Sequence, residues 1–118
     1  MKTIKRYRQH KEYYFTEGCF INELWNTIED ESVSIARARL VSSEITKWHQ
    51  LEGIAERYVI LEGKGVVEVG NNAPSDVKPG DIVMIPAGTR QRIRSTGQDD
   101  LVFLAICTPR FVARAYRD

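Results

Sequence analysis

One histidine and one glutamate of this chain stand at a spacing that could support chemistry. His49 precedes Glu56 by seven residues, within the segment KWHQLEGIAERYVILEGKG of residues 47–65. An imidazole can ligate a metal ion or transfer a proton, and a carboxylate can do the same. The pair therefore indicates either a metal site or an acid–base pair. Because the chain has only two histidines, either site would need further groups of other types.

The bulk composition bounds the classes of protein to consider. The 118 residues suffice for one domain with its own core, and 42% hydrophobic and 28% charged residues are ordinary for a globular protein. Seventeen basic and sixteen acidic residues give a net charge of +1, without the basic excess typical of nucleic-acid or membrane binding. The polar start MKTIKRYRQH contains no signal peptide core, and no apolar run is long enough to span a bilayer. We therefore expect a cytoplasmic protein that binds neither nucleic acid nor membrane.

The two cysteines do not form a recognisable motif. Cys19 and Cys107 lie far apart, without the Cys-x-x-Cys spacing of a metal or redox site. In a reducing compartment such cysteines are most simply free, buried thiols, so we expect no disulfide.

Short apolar runs between glycines and prolines predict an all-β fold. They have the length of strands and are rich in Val, Ile, Leu, Phe and Tyr, whereas no segment keeps a helical apolar period. A β-sandwich or β-barrel is the natural interpretation. The runs are CFINELW, SVSIARARLV, ERYVILEG, GVVEV, DIVMIP, RQRIRS and LVFLAIC.

Alternation along each strand predicts which side chains share a face. His49 and Leu51 fall on one face, and Glu56 and Tyr58 fall on one face of the next strand. A cavity between these faces would collect all four side chains. The same alternation pairs Ile82 with Met84, Gln91 with Ile93, and Phe103 with Cys107.

The strand SIARARLV has two possible registers. In one, the small Ala36 and Ala38 point inward and leave room for a ligand. In the other, Arg37 and Arg39 enter the interior and imply an anionic ligand. We expect the alanines inside, because burying an unpaired arginine is costly.

The first stretch with its glycine frame resembles a motif of the cupins, which are small β-barrels of jelly-roll type. That motif is His-x-His, three or four residues, Glu, six residues, Gly. Here His49 matches the first histidine, and Glu56 and Gly63 match the glutamate and the glycine. Leu51 stands where the second histidine belongs.

A second cupin motif is matched by the segment GDIVMIPAGTRQRIRS. The motif is Gly, five residues, Pro-x-Gly, two residues, His, three residues, Asn. Gly80, Pro86 and Gly88 fit this frame, with Gln91 at the histidine and Ser95 at the asparagine. The resemblance covers about residues 33–109.

The resemblance implies an all-β, cupin-type double-stranded β-helix (jelly-roll barrel). We expect a single domain of residues 1–118, with the motifs in a core of about residues 33–109. The N-terminal strand segment and the C-terminal tail are expected to pack outside the barrel. Small cupins resemble dimers more often than monomers, so a homodimer is expected.

The resemblance also implies a metal site, because cupin motifs supply three imidazoles and one carboxylate to a divalent ion. In this chain His49, Glu56 and Gln91 would offer an imidazole, a carboxylate and an amide oxygen to Fe, Mn, Zn or Ni. Leu51 cannot ligate. The alternative is a metal-free polar cluster in which His49 forms a hydrogen bond with Glu56.

Tyr58 and Glu56 are the candidate catalytic residues. Some cupin lyases use a tyrosine at this offset from the glutamate, although an aromatic residue there is also ordinary packing. With a reference pKa near ~10, the Tyr58 phenol would need a metal or cation beside it to act as a base. The remaining cavity wall is expected to comprise Leu51, Met84, Ile93, Phe103 and Cys107.

Two classes of function stay open. The chain could be a metal-dependent oxygenase, isomerase or lyase that acts on a small organic molecule. Alternatively, it could be a metal-free, non-catalytic module that binds such a molecule in its barrel. In both cases Leu51 would make one wall apolar, which suits a ligand with a hydrophobic portion.

Overall fold

The computed structural model describes all residues from 1 to 118 and consists almost entirely of β-structure. Its helices are two single turns of 3-10 type, Gln9–Lys11 and Ala113–Ala115. Neither turn has the length and apolar character needed to cross a membrane. The strands are β1 (Tyr13–Phe15), β2 (Cys19–Trp25), β3 (Ser34–Leu40), β4 (Gln50–Leu51), β5 (Ala55–Glu62), β6 (Gly65–Val69), β7 (Ser75–Val77), β8 (Ile82–Ile85), β9 (Gln91–Ser95), β10 (Leu101–Thr108) and β11 (Tyr116–Arg117).

The strands form three sheets in which every pairing is antiparallel. The largest has the order β1-β2-β3-β10-β5-β8, the second is β7-β6-β9, and the third is β11-β4. Strand β10 lies between β3 and β5, so neighbours in space are distant in sequence, as in a jelly roll. The prediction of an all-β fold is confirmed.

Strand β3 adopts the register with its alanines inward. Ala36 and Ala38 face the interior, while the two arginines of the strand lie on the outer face. There Arg39 contacts Glu12 at 2.6 Å and Asp100 at 2.9 Å. These carboxylates neutralise the guanidinium at the surface, so no arginine of β3 enters the barrel.

The main core of buried side chains fills one end of the barrel. Leu40, Ile60, Ile93 and Leu101 have at most 1% of their surface exposed. Burial of each such side chain contributes roughly 1.5–3 kcal/mol to the free energy of unfolding. A smaller cluster at the other end comprises Leu51, Ile54, Cys107 and Ala115. The cavity described below lies between these two apolar layers.

The side chains of strand β8 face the opposite sides of the sheet from those predicted. Val83 of β8 pairs with Tyr58 of β5, and Ile85 pairs with Glu56. Val83 and Ile85 therefore point to the same side of the sheet as Tyr58 and Glu56, toward the interior. Met84 is 49% exposed on the outer face. The prediction that Met84 lines the cavity is therefore wrong, because the pairing with β5 turns its neighbours inward.

Both chain ends contribute to the interior, which corrects the expectation that they pack outside. Phe15 of β1 and Tyr116 of β11 line the cavity, with ring centroids 5.3 Å apart in an edge contact. Strand β11 pairs with β4, which places Tyr116 opposite Leu51. Large aromatic rings gain more from covering an apolar cavity than from lying on a polar surface. The ends of the chain therefore form one wall of the site.

The glycine of the first motif should be intolerant of any side chain. Gly63 has a φ of +80°, and a Cβ built there would lie 2.5 Å from the carbonyl oxygen of Asp100. Gly53 has a similar φ of +71°, with no atom within 4 Å of such a Cβ. We expect Gly63→Ala to lower the free energy of unfolding by about 3 kcal/mol or more, and Gly53→Ala by about 1 kcal/mol. Urea unfolding measures both, and equal losses would contradict the role of the close approach at Gly63.

Candidate functional site

A cavity of about 60 Å³ lies inside the barrel between β1, β2, β3, β5 and β10. It has room for roughly four to six water-sized groups. Of the 19 residues that line it, 13 are hydrophobic, so polar contacts are confined to a few positions. Such a mostly apolar cavity with a few polar groups is the usual form of a small-molecule site.

An ion pair between His49 and Glu17 is one polar group of the cavity. The Nε2 atom of His49 lies 3.0 Å from Oε2 of Glu17, and the two side chains are 3% and 15% exposed. The Nδ1 atom of His49 lies 2.7 Å from the carbonyl oxygen of Lys47. Because a carbonyl only accepts, Nδ1 carries a hydrogen, and Nε2 is the nitrogen that can exchange a proton with Glu17. The ring of Tyr116 stacks on the imidazole at 5.5 Å, which fixes its orientation.

A buried hydrogen-bond chain through Gln91 is the second polar group. The Nε2 atom of Gln91 donates to Oε1 of Glu56 at 2.7 Å, and its Oε1 accepts from the Tyr58 hydroxyl. The Cys107 thiol lies 3.8 Å from the other oxygen of Glu56. Gln91 is fully buried and stands behind Glu56 and Tyr58, outside the cavity wall. Its amide therefore holds both side chains in place.

Burial and neighbouring charges shift the pKa values of these groups upward. Burial raises the pKa of Glu56 to about 7, and the Glu17 charge adds to this against the opposing effects of Gln91 and His49. Burial alone would lower the pKa of His49, but the hydrogen bond and charge of Glu17 raise it overall. Burial, followed by the Glu56 charge, raises the pKa of Tyr58 well above its usual value. The Tyr58 hydroxyl is thus a hydrogen-bond donor near neutral pH, and the geometry does not favour it as a base.

The structure brings most of the predicted site residues together. Six of them line the cavity, and Gln91 supports it from behind. Ile93 is fully buried in the main core and does not reach the cavity, because that part of β9 packs against β6. The expectation for Ile93 is therefore wrong. The six lining residues are His49, Leu51, Glu56, Tyr58, Phe103 and Cys107.

Sequence reasoning missed Glu17, which comes from the turn between β1 and β2. Tyr13, Phe15 and Glu17 follow one another at every second position, and this alternation could have placed them on one face. Glu23 follows on β2 and accepts a hydrogen bond from the Tyr13 hydroxyl at 3.2 Å at the rim. No cupin motif includes these positions, so the motif comparison did not point to them.

A comparison with protein families agrees with the fold and the motif frame. The family model described as "Cupin domain" matches residues 37–107, more than half of the chain. This chain is a cupin. The prediction of a cupin-type barrel is confirmed.

This cupin is similar to two curated proteins and to one solved structure. It is 33% identical to an uncharacterized protein of Methanocaldococcus jannaschii over 92% of this chain and 89% of that protein. It is 38% identical to the oxalate-binding protein of Thermotoga maritima, over 60% of this chain and 58% of that protein. A predicted oxalate decarboxylase from Thermotoga maritima superposes with a TM-score of 0.73 at 27% identity, covering 83% and 90% of the two chains.

The donor atoms of this cupin do not fit the metal site that its family motifs imply. Leu51 has no donor atom, and the oxygen of Gln91 accepts from Tyr58 while its nitrogen faces Glu56. The Nε2 atom of His49 faces Glu17. No three His, Cys, Asp or Glu side chains converge at distances suitable for one metal ion. The donor atoms of the three predicted ligands thus bond to other protein groups and do not converge on one point where a metal ion could sit.

The stability of the metal-free protein should fall as the pH rises from about 5 to about 8. The folded chain keeps the Glu56 proton up to about pH 7, whereas the unfolded chain releases it near 4.5, so rising pH favours unfolding. The raised pKa of His49 acts in the same direction. Glu56→Gln removes the first contribution, and at pH 8 this variant should be more stable than the parent by on the order of 3 kcal/mol.

Urea unfolding at pH 4, 6 and 8 in the presence of a chelator measures this effect. At pH 4 the parent and Glu56→Gln should differ little, because Glu56 is neutral there in both states. Glu44→Gln, which changes an exposed carboxylate outside the cavity, should leave the pH dependence unchanged. A parent protein that gains stability between pH 5 and pH 8 would contradict the prediction.

Proposed function

We propose that this cupin binds a small organic molecule in its barrel cavity with its own side chains, without a metal ion held at the motif positions. The observation that carries the proposal is the position of Gln91. Its amide bonds Glu56 on one side and Tyr58 on the other, at the place where the family motif has a histidine ligand. A replacement that serves only to fill space would not need both halves of an amide.

The shape of the cavity supports ligand binding. Ala36 and Ala38 leave space that larger side chains on β3 would fill, and the rings of Phe15 and Tyr116 line the same space. Protein cores are packed without voids of this size unless something occupies them or their cost is tolerated. The Thermotoga maritima relative is described as binding a small molecule, which agrees with this function for the fold.

A cavity-filling variant tests the ligand site. Ala38→Leu adds three carbon atoms to the cavity wall and should abolish the thermal stabilisation by any small molecule that binds the parent. The overpacking should itself cost about 1–3 kcal/mol, so each variant is compared with its own ligand-free form. Ala73→Leu makes the same change at an exposed position and should leave binding intact. Ligand binding that survives Ala38→Leu would place the ligand elsewhere.

Elemental analysis of protein purified without a histidine tag tests the absence of a motif-held metal. We expect substoichiometric Fe, Mn, Ni and Zn, both as purified and after reconstitution with each ion. A stoichiometric ion that is lost in His49→Ala would overturn the proposal. It would favour instead the metal-dependent enzyme of the sequence analysis, with His49 and Glu56 as ligands. The homodimer stays a prediction, which light scattering can test.

Restoring the family residues should create the metal site that the parent lacks. Leu51 shares the cavity with His49 and Glu56, and Gln91 bonds Glu56, so both positions are close to the existing donors. A four-ligand zinc site supplies about 10–16 kcal/mol, so each added imidazole should raise zinc or nickel affinity by roughly 100-fold. We expect Leu51→His with Gln91→His to exceed either single change.

Calorimetric titration with zinc and nickel measures the gain. Asn72→His adds an imidazole at an exposed loop position and serves as the control. If neither Leu51→His nor Gln91→His binds metal more tightly than this control, the assignment of positions 51 and 91 to the site is wrong.

A further inference from the structure

The charges inside the cavity have one dominant sign. Glu17, Glu23 and Glu56 line it, and none of its 19 lining residues is a lysine or an arginine. His49 is the one lining residue that can carry a positive charge, and Glu17 already pairs with it at 3.0 Å. His49 also acts on Glu56, and Lys5 bonds the backbone carbonyl of Glu23 at 2.8 Å from outside the cavity. No other cationic side chain lies among the lining residues.

Two of the three tyrosine hydroxyls of the cavity wall already donate within the protein, and the third, that of Tyr116, is buried without a partner. The Tyr13 hydroxyl donates to Glu23, and the Tyr58 hydroxyl donates to Gln91, so neither is free to donate to a ligand. The amide of Asn26 donates to the carbonyl of Phe111 at 2.9 Å, which leaves its Oδ1 atom buried without a donor. A buried acceptor without a partner costs free energy.

The aromatic rings of Phe15, Phe111 and Tyr116 form one part of the cavity wall. The ring centroid of Phe15 lies 6.1 Å from that of Phe111 and 5.3 Å from that of Tyr116, both near a right angle. His49 already stacks on one face of the Tyr116 ring, so Phe15 and Phe111 are the rings that remain for contact with a ligand. The π-face of an aromatic ring attracts an organic cation, and the attraction strengthens where water is excluded.

We infer that the ligand of this cavity is a small organic ammonium ion, with a hydrocarbon portion and a positively charged nitrogen that donates hydrogen bonds. The inference rests on the proposed function and narrows it to one class of ligand. The nitrogen would face the carboxylate of Glu23 and the side chain of Glu56, which a bound cation would hold in the ionised form. The hydrocarbon portion would lie against Leu51 and the rings. A free dianion such as oxalate would meet uncompensated carboxylates and is excluded from the metal-free protein.

Three probes with three carbon atoms each separate the effect of charge from that of size: propylammonium, propan-1-ol and propanoate. Each has four or five non-hydrogen atoms, which suits a cavity with room for roughly four to six water-sized groups. Ligands of this size reach at best a dissociation constant near ~0.1 mM, so binding is followed by NMR titration at constant ionic strength. We expect propylammonium to bind about 10-fold more tightly than propan-1-ol, and propanoate and oxalate not to bind.

Variants of the carboxylates test which groups hold the cation. Glu17→Gln leaves the charge of His49 unopposed. It should weaken the binding of propylammonium by about 10-fold and change the binding of propan-1-ol little. Glu23 is exposed at the rim, so Glu23→Gln should fold normally. This variant should also bind propylammonium more weakly than the parent. Glu44→Gln removes an equal charge from the surface outside the cavity and should have no effect.

The outcomes distinguish this inference from the function on which it rests. If propanoate, oxalate or propan-1-ol binds the cavity as tightly as propylammonium, the ammonium class is wrong and small-molecule binding stands. If propylammonium shifts only resonances on the outer surface, or binds Glu17→Gln and Glu23→Gln as tightly as the parent, the ammonium class is also wrong. If no probe binds the cavity, both proposals are overturned.

Discussion

The buried carboxyl group of Glu56 is the constraint around which this cupin site is built. A carboxylate removed from water costs several kcal/mol unless hydrogen-bond donors replace its hydration. The amide of Gln91 supplies one donor and the thiol of Cys107 a weak second one, and the pKa of Glu56 still rises to about 7. The opposite end of the same amide orients Tyr58. Gln91, a single buried residue of β9, thus holds two side chains of β5 in place. A pair of backbone hydrogen bonds joins Gln91 in turn to His49.

The choice of register on β3 decides both the volume and the charge of the cavity. Ala36 and Ala38 occupy positions where larger residues would fill the space, and the same alternation sends Arg37 and Arg39 outward. A shift by one residue would exchange the two faces. The barrel would then hold two guanidinium groups and little free volume. The acceptor-rich cavity and the ion-paired outer surface are therefore two consequences of one strand register.

Much of this arrangement could be predicted from sequence because it depends on local rules. The glycine and proline frame fixed the turns, and alternation placed His49 beside Leu51. Alternation gives the two faces of a strand but not which face is inner. For β8 that is decided by pairing with β5, so Met84 was assigned to the wrong side. Glu17 and Tyr116 reach the site through tertiary contacts across the barrel, which no spacing along the chain encodes.

The departures from the family motifs at Leu51 and Gln91 act together. Either change alone would leave a metal site with one ligand missing, and such sites can still bind an ion through water. With both changes, the imidazole of His49 has lost its two neighbouring imidazoles, and Glu17 has become its partner. The carboxylate of Glu17 beside Nε2 favours the protonated imidazole, and a protonated Nε2 cannot ligate a metal. The pairing with Glu17 thus removes the metal donor and cancels the cavity's one positive charge, so the same contact accounts for both properties of the site.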